Sequence, residues 1–153
     1  MSETTRLRLW TLAKIPLLFF LRPSVVAVDE RSTVIRIPLT RRSRNHLGSM
    51  YFGALCAGAD LAGALTAMRR IEASGRRISL IFKDLRAQFF KRAESDVLFS
   101  CGDGEAVAAL VARAIESGER EELPVRVVAT APATLGAEPV AEFLLTLSLK
   151  RRD

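Results

Sequence analysis

The chain is poor in the residues that build metal sites, disulfide frameworks and histidine-based catalysis. Only two cysteines occur, Cys56 and Cys101, and the 44 residues between them do not support a CxxC metal or redox pair. We expect both to be free thiols in a reducing cytoplasm, and we expect no metal and no cofactor. His46 is the only histidine, which argues against repeated histidine proton relays. Any acid–base chemistry therefore depends mainly on carboxylates.

Acidic residues are outnumbered, but the excess of positive charge is mild. Lys and Arg number 23 and Asp and Glu 17, so the 153 residues carry a net charge of +6. This charge attracts anionic partners without requiring nucleic acid. The cluster Arg41, Arg42 and Arg44 lacks interleaved exposed aromatic residues and a known recognition motif, so we expect no nucleic-acid partner.

Long uninterrupted apolar runs are also scarce. The stretch from Trp10 to Leu21 is broken by Lys14 and Pro16 and lacks a small-residue cleavage site, so we interpret it as a mature N-terminal segment. Residues 47–68 have the length of a membrane span, but they are rich in Gly and Ala. Asp60 within this stretch would cost about 2.5 to 3.5 kcal/mol on insertion scales. A membrane span stays an alternative, but we predict that there is none, and the free cysteines favour a cytoplasmic protein.

The spacing of apolar residues predicts a mixture of helices and strands in one domain over residues 1–153. An amphipathic helix is expected at about residues 2–14, ended by Pro16, and packed as a lid or strap. The predicted strands are Val25–Asp29, Thr33–Leu39, Ile78–Arg92 with a bend near Asp84, Ser95–Cys101, Val125–Ala131 and Val140–Leu149.

The longest predicted element is a helix from about Ser49, which can cap its start, to Ser74. Gly and Ala occur on every side of this helix, which predicts that other backbone approaches it closely nearly all round. The helix is therefore expected at the centre of the fold. A second helix, capped by Asp103, is expected to run to about Ser117.

Asp60 is the candidate catalytic group. It lies in the middle of the long helix, and the residues three and four positions away are all small and uncharged, so its own helix offers no cationic partner. An unpaired buried carboxylate is energetically costly. Two interpretations stay open: an ion pair with a distant residue such as Arg86 or Lys91, and a general base or nucleophile held in a cleft. We favour the second.

The segment Asn45 to Asp60 reads NHLGSMYFGALCAGAD. It resembles the helix-entry motif N-x-x-G-[ST]-x-H-G-G-A-x-x-x-x-A-[DE] of hotdog-fold acyl-CoA thioesterases of the phenylacetyl-CoA thioesterase type. Tyr51 stands where that family has histidine, and Phe52 where it has the first glycine. The order of elements agrees over nearly the whole chain. The resemblance implies an α+β hotdog fold, with an antiparallel sheet wrapped around the long central helix. The matching positions are Asn45, Gly48, Ser49, Gly53, Ala54, Ala59 and Asp60.

The start of the long helix offers a place for an oxyanion. Free backbone N–H groups near Tyr51, Phe52 and Gly53 can bind the oxygen of an attacked thioester. Phe52 and Asp60 are eight residues apart, or about 12 Å along the axis, too far for both to act on one carbonyl carbon. We therefore predict that the helix start of one chain faces Asp60 of a second chain in a homodimer or dimer of dimers, as the resemblance also implies.

Several neighbouring residues have two interpretations each. Asn45 either orients water or the thioester oxygen, as its matching position does in the family, or forms a turn or cap. His46 is expected to support the loop more than to transfer protons. Tyr51 either donates a hydrogen bond in place of the family histidine or packs in the core.

Substrate contacts are predicted at Ser49 and His46 and at two further groups of residues. Phe89 and Phe90 are adjacent on a strand and point to opposite faces, so one is expected to line an acyl pocket and the other to pack in the core. Exposed cations suit the phosphates of coenzyme A. The candidates are Arg69, Arg70, Arg76, Arg77, Lys83, Lys91 and Arg92. We expect Arg76, Arg77 and Lys91 to bind the phosphates and most of the others to be ordinary surface charges.

The favoured function is hydrolysis of acyl-CoA or a related acyl thioester, with Asp60 as base or nucleophile. The alternative is a non-catalytic module that binds an acyl thioester or lipid, because Tyr51 and Phe52 block turnover while the fold is retained.

Overall fold

The computed structural model describes all 153 residues, as five helices and six strands. The helices are α1 (Glu3–Lys14), α2 (Pro16–Phe20), α3 (Phe52–Ser74), α4 (Gly104–Ser117) and α5 (Pro132–Leu135). The strands are β1 (Ser24–Val28), β2 (Thr33–Ile37), β3 (Ile78–Phe89), β4 (Val97–Cys101), β5 (Glu121–Thr130) and β6 (Pro139–Arg151). None of these helices combines the length and apolar character that crossing a bilayer requires.

The six strands form one antiparallel sheet in the order β1-β2-β4-β5-β6-β3. Helix α3 packs against five of these strands, namely β2, β4, β5, β6 and β3. A register shift between Phe82 and Asp84 bends β3, which confirms the bend predicted there. The sheet thus wraps around one long helix, and the α+β hotdog fold is confirmed.

Helix α3 owes its central place to its small residues, and large side chains pack against two of its glycines. A Cβ atom added at Gly58 would lie 2.3 Å from the ring of Phe99, which is fully buried. Gly63 similarly faces the side chains of Phe82 and Val125. At these two positions the space left by the glycines is filled by large side chains and not by backbone.

Ser49 does not cap α3, whereas Asp103 occupies the predicted N-cap position of α4 but makes no capping hydrogen bond through its side chain. Helix α3 starts at Phe52, because the Oγ of Ser49 is bound in the preceding loop, 3.2 Å from the Oδ1 of Asn45. The side chain of Asp103 does not cap α4. Its Oδ2 instead accepts a hydrogen bond of 2.8 Å from the backbone N–H of Arg126 on β5.

Helix α1 is held against the β1 edge of the sheet, and α2 packs against α1. Ser2 caps α1 by accepting a hydrogen bond from the backbone N–H of Thr5. The backbone N–H of Val25 donates to Thr4 Oγ1 at 2.9 Å, and the guanidinium of Arg8 donates to the carbonyl of Pro23 at 2.9 Å. These bonds hold α1 beside β1 while another side of the helix faces α3 and β3.

Candidate active site

A long groove of about 900 Å³ lies between α1, α3 and the first half of β3. Fifteen of its twenty lining residues are hydrophobic, so the groove suits an apolar ligand. Its apolar lining includes Leu7, Trp10, Leu61, Met68, Leu80 and Phe82. Asp60 is also part of the lining, and it places a carboxylate in these apolar surroundings.

Asp60 is half-buried and has no hydrogen-bonding or ionic partner within the chain. Burial raises the pKa of its carboxyl from 3.8 to about 6, because an apolar environment disfavours the charged form. The ion pair considered from the sequence is not formed. Lys91 pairs instead with Glu138 at 2.9 Å, and no ion pair involves Arg86. The carboxylate is therefore left free to act on a ligand in the groove.

The other charged residues of the groove are paired among themselves. Arg6 of α1 lies 3.1 Å from the carboxylate of Glu72 on α3. Arg69 of α3 lies 3.9 Å from the carboxylate of Glu3 on α1. These ion pairs join the two helices near one part of the groove, and none of the four residues is an ionic partner of Asp60.

The start of α3 presents three free donors. The backbone N–H groups of Phe52, Gly53 and Ala54 have no acceptor, and no side chain caps this end of the helix. Such groups, at the positive end of the helix dipole, can stabilise a developing oxyanion. The ring of Tyr51 lies against Gly53, where an added Cβ would be 2.4 Å from Cε1 of the tyrosine. Glycine at this position therefore leaves room for the tyrosine ring.

A second pocket, of about 380 Å³, surrounds this helix start. It gathers many of the residues that the sequence singled out, namely Asn45, His46, Ser49, Tyr51, Phe52, Phe89 and Lys91, together with Arg92. Tyr51 is exposed, so its interpretation as a core residue was wrong. Its position after a tight loop keeps its ring at the surface, over the helix end.

Asn45 organises the loop before α3. Its Oδ1 accepts hydrogen bonds from the backbone N–H of Leu47 at 2.9 Å, the backbone N–H of Ser49 at 3.2 Å and the Ser49 hydroxyl. The carbonyl oxygen is thus used in a turn, as one interpretation predicted. The Nδ2 group makes no hydrogen bond within the chain, so it is available to donate to a ligand in the pocket.

Arg92 clamps the same loop, a role that sequence reasoning missed. Its guanidinium donates to the carbonyl of Leu47 at 2.7 Å and, more weakly, to the hydroxyl of Ser49 at 3.4 Å. These contacts join residues more than 40 positions apart. No local pattern could have separated Arg92 from the other exposed cations.

Phe89 and Phe90 do not divide between a pocket and the core. Phe89 lines the second pocket and makes edge-on contacts with Phe52 and Phe143, at centroid distances of 6.3 and 5.9 Å. Phe90 lies just beyond the end of β3 and is exposed. The prediction that one of the pair packs in the core was wrong, because β3 is an edge strand and ends there.

Arg76 and Arg77 are not brought to either pocket. They follow the C-terminal end of α3, where Arg76 pairs with Asp153 at 3.3 Å and the backbone N–H of Arg77 donates to the same carboxylate. Asp60 and Phe52 also lie apart, since they line different cavities. The structure brings no three metal-ligating side chains together.

Comparison with known proteins matches residues 4–146 to the family described as a domain of unknown function, DUF4442. No curated protein is detectably similar to the chain.

Among the similar solved structures are three that cover nearly all of this chain. A Pseudomonas aeruginosa protein of unknown function, described as a probable thioesterase, is 26% identical and covers 99% of this chain and 97% of its own, with a TM-score of 0.76. A Chlorobaculum tepidum protein of unknown function is 12% identical over 97% and 94% of the two chains, with a TM-score of 0.84. A Haemophilus influenzae thioesterase is 16% identical over 99% and 92%, with a TM-score of 0.70. The chain therefore belongs to the DUF4442 family, and the hotdog superfamily predicted from residues 45–60 is confirmed.

Proposed function

We propose that the protein is a thioesterase that hydrolyses an acyl-CoA or a related acyl thioester. The observation that carries this proposal is the carboxyl of Asp60, unpartnered and half-buried in an apolar groove, with its pKa raised to about 6. Such a group is ionised at neutral pH and basic enough to accept a proton. The description of the Pseudomonas aeruginosa and Haemophilus influenzae proteins as thioesterases supports the same reaction class.

In the proposed reaction, Asp60 takes a proton from a water molecule that attacks the thioester carbonyl, or attacks that carbon directly. The carbonyl oxygen becomes negative and accepts hydrogen bonds from the backbone N–H groups of Phe52 and Gly53. Asn45 uses its free Nδ2 group to orient the water or the thioester oxygen. The C–S bond then breaks, and the departing sulfur takes the proton that Asp60 removed from water. If Asp60 attacks directly, the mixed anhydride that it forms is hydrolysed by a water molecule. Either route yields a carboxylic acid and a thiol, and the reaction requires no cofactor.

A second copy of the chain completes this site. Asp60 and the start of α3 line different cavities in one chain, so we place the start of α3 from one copy against Asp60 of the other. Strand β3 supports this arrangement, because it is the last strand of the sheet and exposes Ile81, Leu85 and Phe89. An unpaired edge with exposed apolar side chains favours association with another chain. A homodimer is the minimum assembly, and a dimer of dimers is compatible with it.

The apolar groove is proposed to hold the acyl chain, and exposed residues near the helix start to hold the coenzyme A portion. His46, Ser49, Phe89 and Lys91 line the pocket at that end. Phe90 lies between Phe89 and Lys91 in the chain, but it does not line this pocket. Arg76 and Arg77 remain proposed phosphate contacts on the strength of their charge alone.

We also propose that residues 1–153 act as one domain in the cytoplasm. Hydrogen bonds hold α1 to β1, and ion pairs hold it to α3. Cys56 and Cys101 form no disulfide, which supports a reducing compartment.

The test is an assay of hydrolysis with a panel of acyl-CoA thioesters of different chain lengths. The rate is measured as the release of free thiol. Asp60→Asn is expected to reduce turnover by about 100-fold or more, since general-base catalysis typically contributes at least that factor. It should leave substrate binding intact. Asp29→Asn is the matched control, because Asp29 lies in the β1–β2 turn and Asn preserves its hydrogen bonds from the N–H groups of Arg31 and Ser32.

A non-catalytic binding module is the second candidate, and one observation favours it. The ring of Tyr51 lies over the helix start, and the side chain of Phe52 is 57% exposed beside it. Both are in a position to narrow the approach to the free N–H groups. Binding of acyl-CoA without thiol release across the whole panel would support this module and contradict the thioesterase.

A further inference from the structure

The positive charge of the chain is concentrated at its N-terminal end. The first 59 residues carry nine Lys and Arg against three Asp and Glu, whereas the remaining 94 carry fourteen of each. The net charge of +6 therefore belongs to the first 59 residues, and between Thr4 and Val28 there is no acidic residue at all. Charge segregation of this kind attracts an anionic surface.

Exposed apolar side chains occur in the same region. Leu12 of α1 and Leu17 and Phe20 of α2 are 49%, 70% and 49% exposed. Leu17 and Phe20 are three positions apart on one helix, so they share a face. None of the three lines the groove that contains Asp60. Leu17 and Phe20 therefore form an exposed apolar face of α2, and Leu12 adds an exposed apolar side chain near the end of α1.

Unpaired cations occur in the same region, and one of them contacts Phe20. The guanidinium of Arg42 is 5.1 Å from the centroid of the Phe20 ring, which joins the Arg41–Arg44 loop to α2. Lys14, Arg41 and Arg42 are exposed and make no salt bridge. We name the set Leu12, Lys14, Leu17, Phe20, Arg41 and Arg42 the N-terminal patch.

We propose that the N-terminal patch docks the protein on an anionic lipid bilayer. Leucine and phenylalanine side chains on short helices enter the boundary between headgroups and acyl chains, and neighbouring Lys and Arg side chains bind anionic headgroups. A nucleic acid would neutralise the cations but leave Leu12 and Leu17 in water. A second copy of this chain would bring the same unpaired cations together. An anionic bilayer satisfies both the charge and the apolar surface.

Docking in this orientation has a consequence for the groove. Helix α1 contributes to the patch through Leu12 and lines the groove through Leu9 and Trp10, while Ile15, between α1 and α2, also lines it. The bilayer therefore lies next to a wall of the groove, where an apolar acyl chain dissolved in lipid could enter. This consequence rests on the proposed function, whereas the docking itself does not.

The experiment is co-sedimentation of the purified full chain with vesicles, at low salt, in the absence of any thioester. Vesicles of phosphatidylcholine mixed with phosphatidylglycerol are compared with vesicles of phosphatidylcholine alone. The double variant Arg41→Gln/Arg42→Gln is expected to bind the anionic vesicles about 25-fold more weakly, since each cation near such a surface contributes about fivefold. Leu17→Ser should also weaken binding, by about tenfold or more.

Matched controls remove the same chemistry elsewhere. Arg86→Gln/Arg152→Gln removes two exposed cations outside the first 59 residues that make no salt bridge, and Leu144→Ser removes an exposed leucine of β6; both variants should bind like the unaltered protein. Equal binding to the two kinds of vesicle, or no loss in the patch variants, would overturn the proposal. The proposal would also be overturned if sedimentation showed that Leu17→Ser dissociates an oligomer. Binding of an oligonucleotide that depends on Arg41 and Arg42, without binding to vesicles, would overturn it as well. Hydrolysis is measured separately, so failure of docking and failure of the thioesterase proposal are distinguishable.

Discussion

Replacing Asp60 by asparagine is predicted to stabilise the protein at neutral pH, although it removes the proposed catalytic group. Burial raises the pKa of this carboxyl from 3.8 to about 6. The folded chain therefore binds the proton more tightly than the unfolded chain, so stability falls as the pH rises from about 4 to about 6 and stays reduced above that. At about 1.4 kcal/mol per pH unit, the ionised carboxylate costs about 3 kcal/mol at pH 7.

The expected result follows from this pH window. Near pH 4 the protonated acid and the amide are both neutral, so Asp60→Asn and the unaltered protein should have similar free energies of unfolding. At pH 7 the variant should be more stable by up to about 3 kcal/mol, or about 6 to 12 °C in Tm for a chain of this size. Urea unfolding from pH 4 to pH 8, at one protein concentration, measures the difference.

The control is Asp29→Asn, which removes a carboxylate whose pKa is lowered and not raised. Hydrogen bonds from the backbone N–H groups of Arg31 and Ser32 lower the pKa of Asp29, which is fully exposed. Its replacement should therefore give no stabilisation at neutral pH. If Asp60→Asn shows the same difference from the unaltered protein at every pH, or is less stable at pH 7, then the desolvation argument for Asp60 is refuted.

The remaining predictions concern activity, packing, the loop and the assembly. The kcat/KM for acyl-CoA should rise through about pH 6 as Asp60 ionises and then level off, and a profile flat from pH 5 to pH 8 would exclude Asp60 as the base. Gly58→Ala should lower the free energy of unfolding by about 1 to 3 kcal/mol, because the new methyl group collides with the buried ring of Phe99; urea unfolding checks this, and an unchanged midpoint contradicts it. Arg92→Gln should speed amide hydrogen exchange in residues 45–49, where the guanidinium now binds a carbonyl and a hydroxyl; unaltered exchange would mean that the loop holds its shape without this clamp. Leu85→Lys on the exposed β3 edge should yield a monomer and abolish hydrolysis together, and sedimentation velocity that reveals an active monomer would disprove a shared site.

Local patterns were sufficient to predict the main elements and the principal candidate residue. The run of small residues around Asp60 predicts a long central helix, and the alternation in Val140–Leu149 predicts a half-buried strand; both lie within elements of the structure. Asp60 could be singled out because its helix offers no cation within one turn. These features depend on residues close together in the chain, and for that reason a single sequence contains them.

Other features depended on contacts between distant residues. Helix α3 begins at Phe52 and not at Ser49 because Asn45 and Arg92 hold the serine in the loop. The groove beside Asp60 exists because hydrogen bonds to β1 hold α1 in a position where α1, α3 and β3 together line a cavity. The tertiary structure also decided whether the carboxylate of Asp60 is paired, because the fold places Lys91 next to Glu138 and not next to Asp60. The sequence by itself determined the elements and their order, through local periodicity, whereas long-range packing decided which side chains share a cavity.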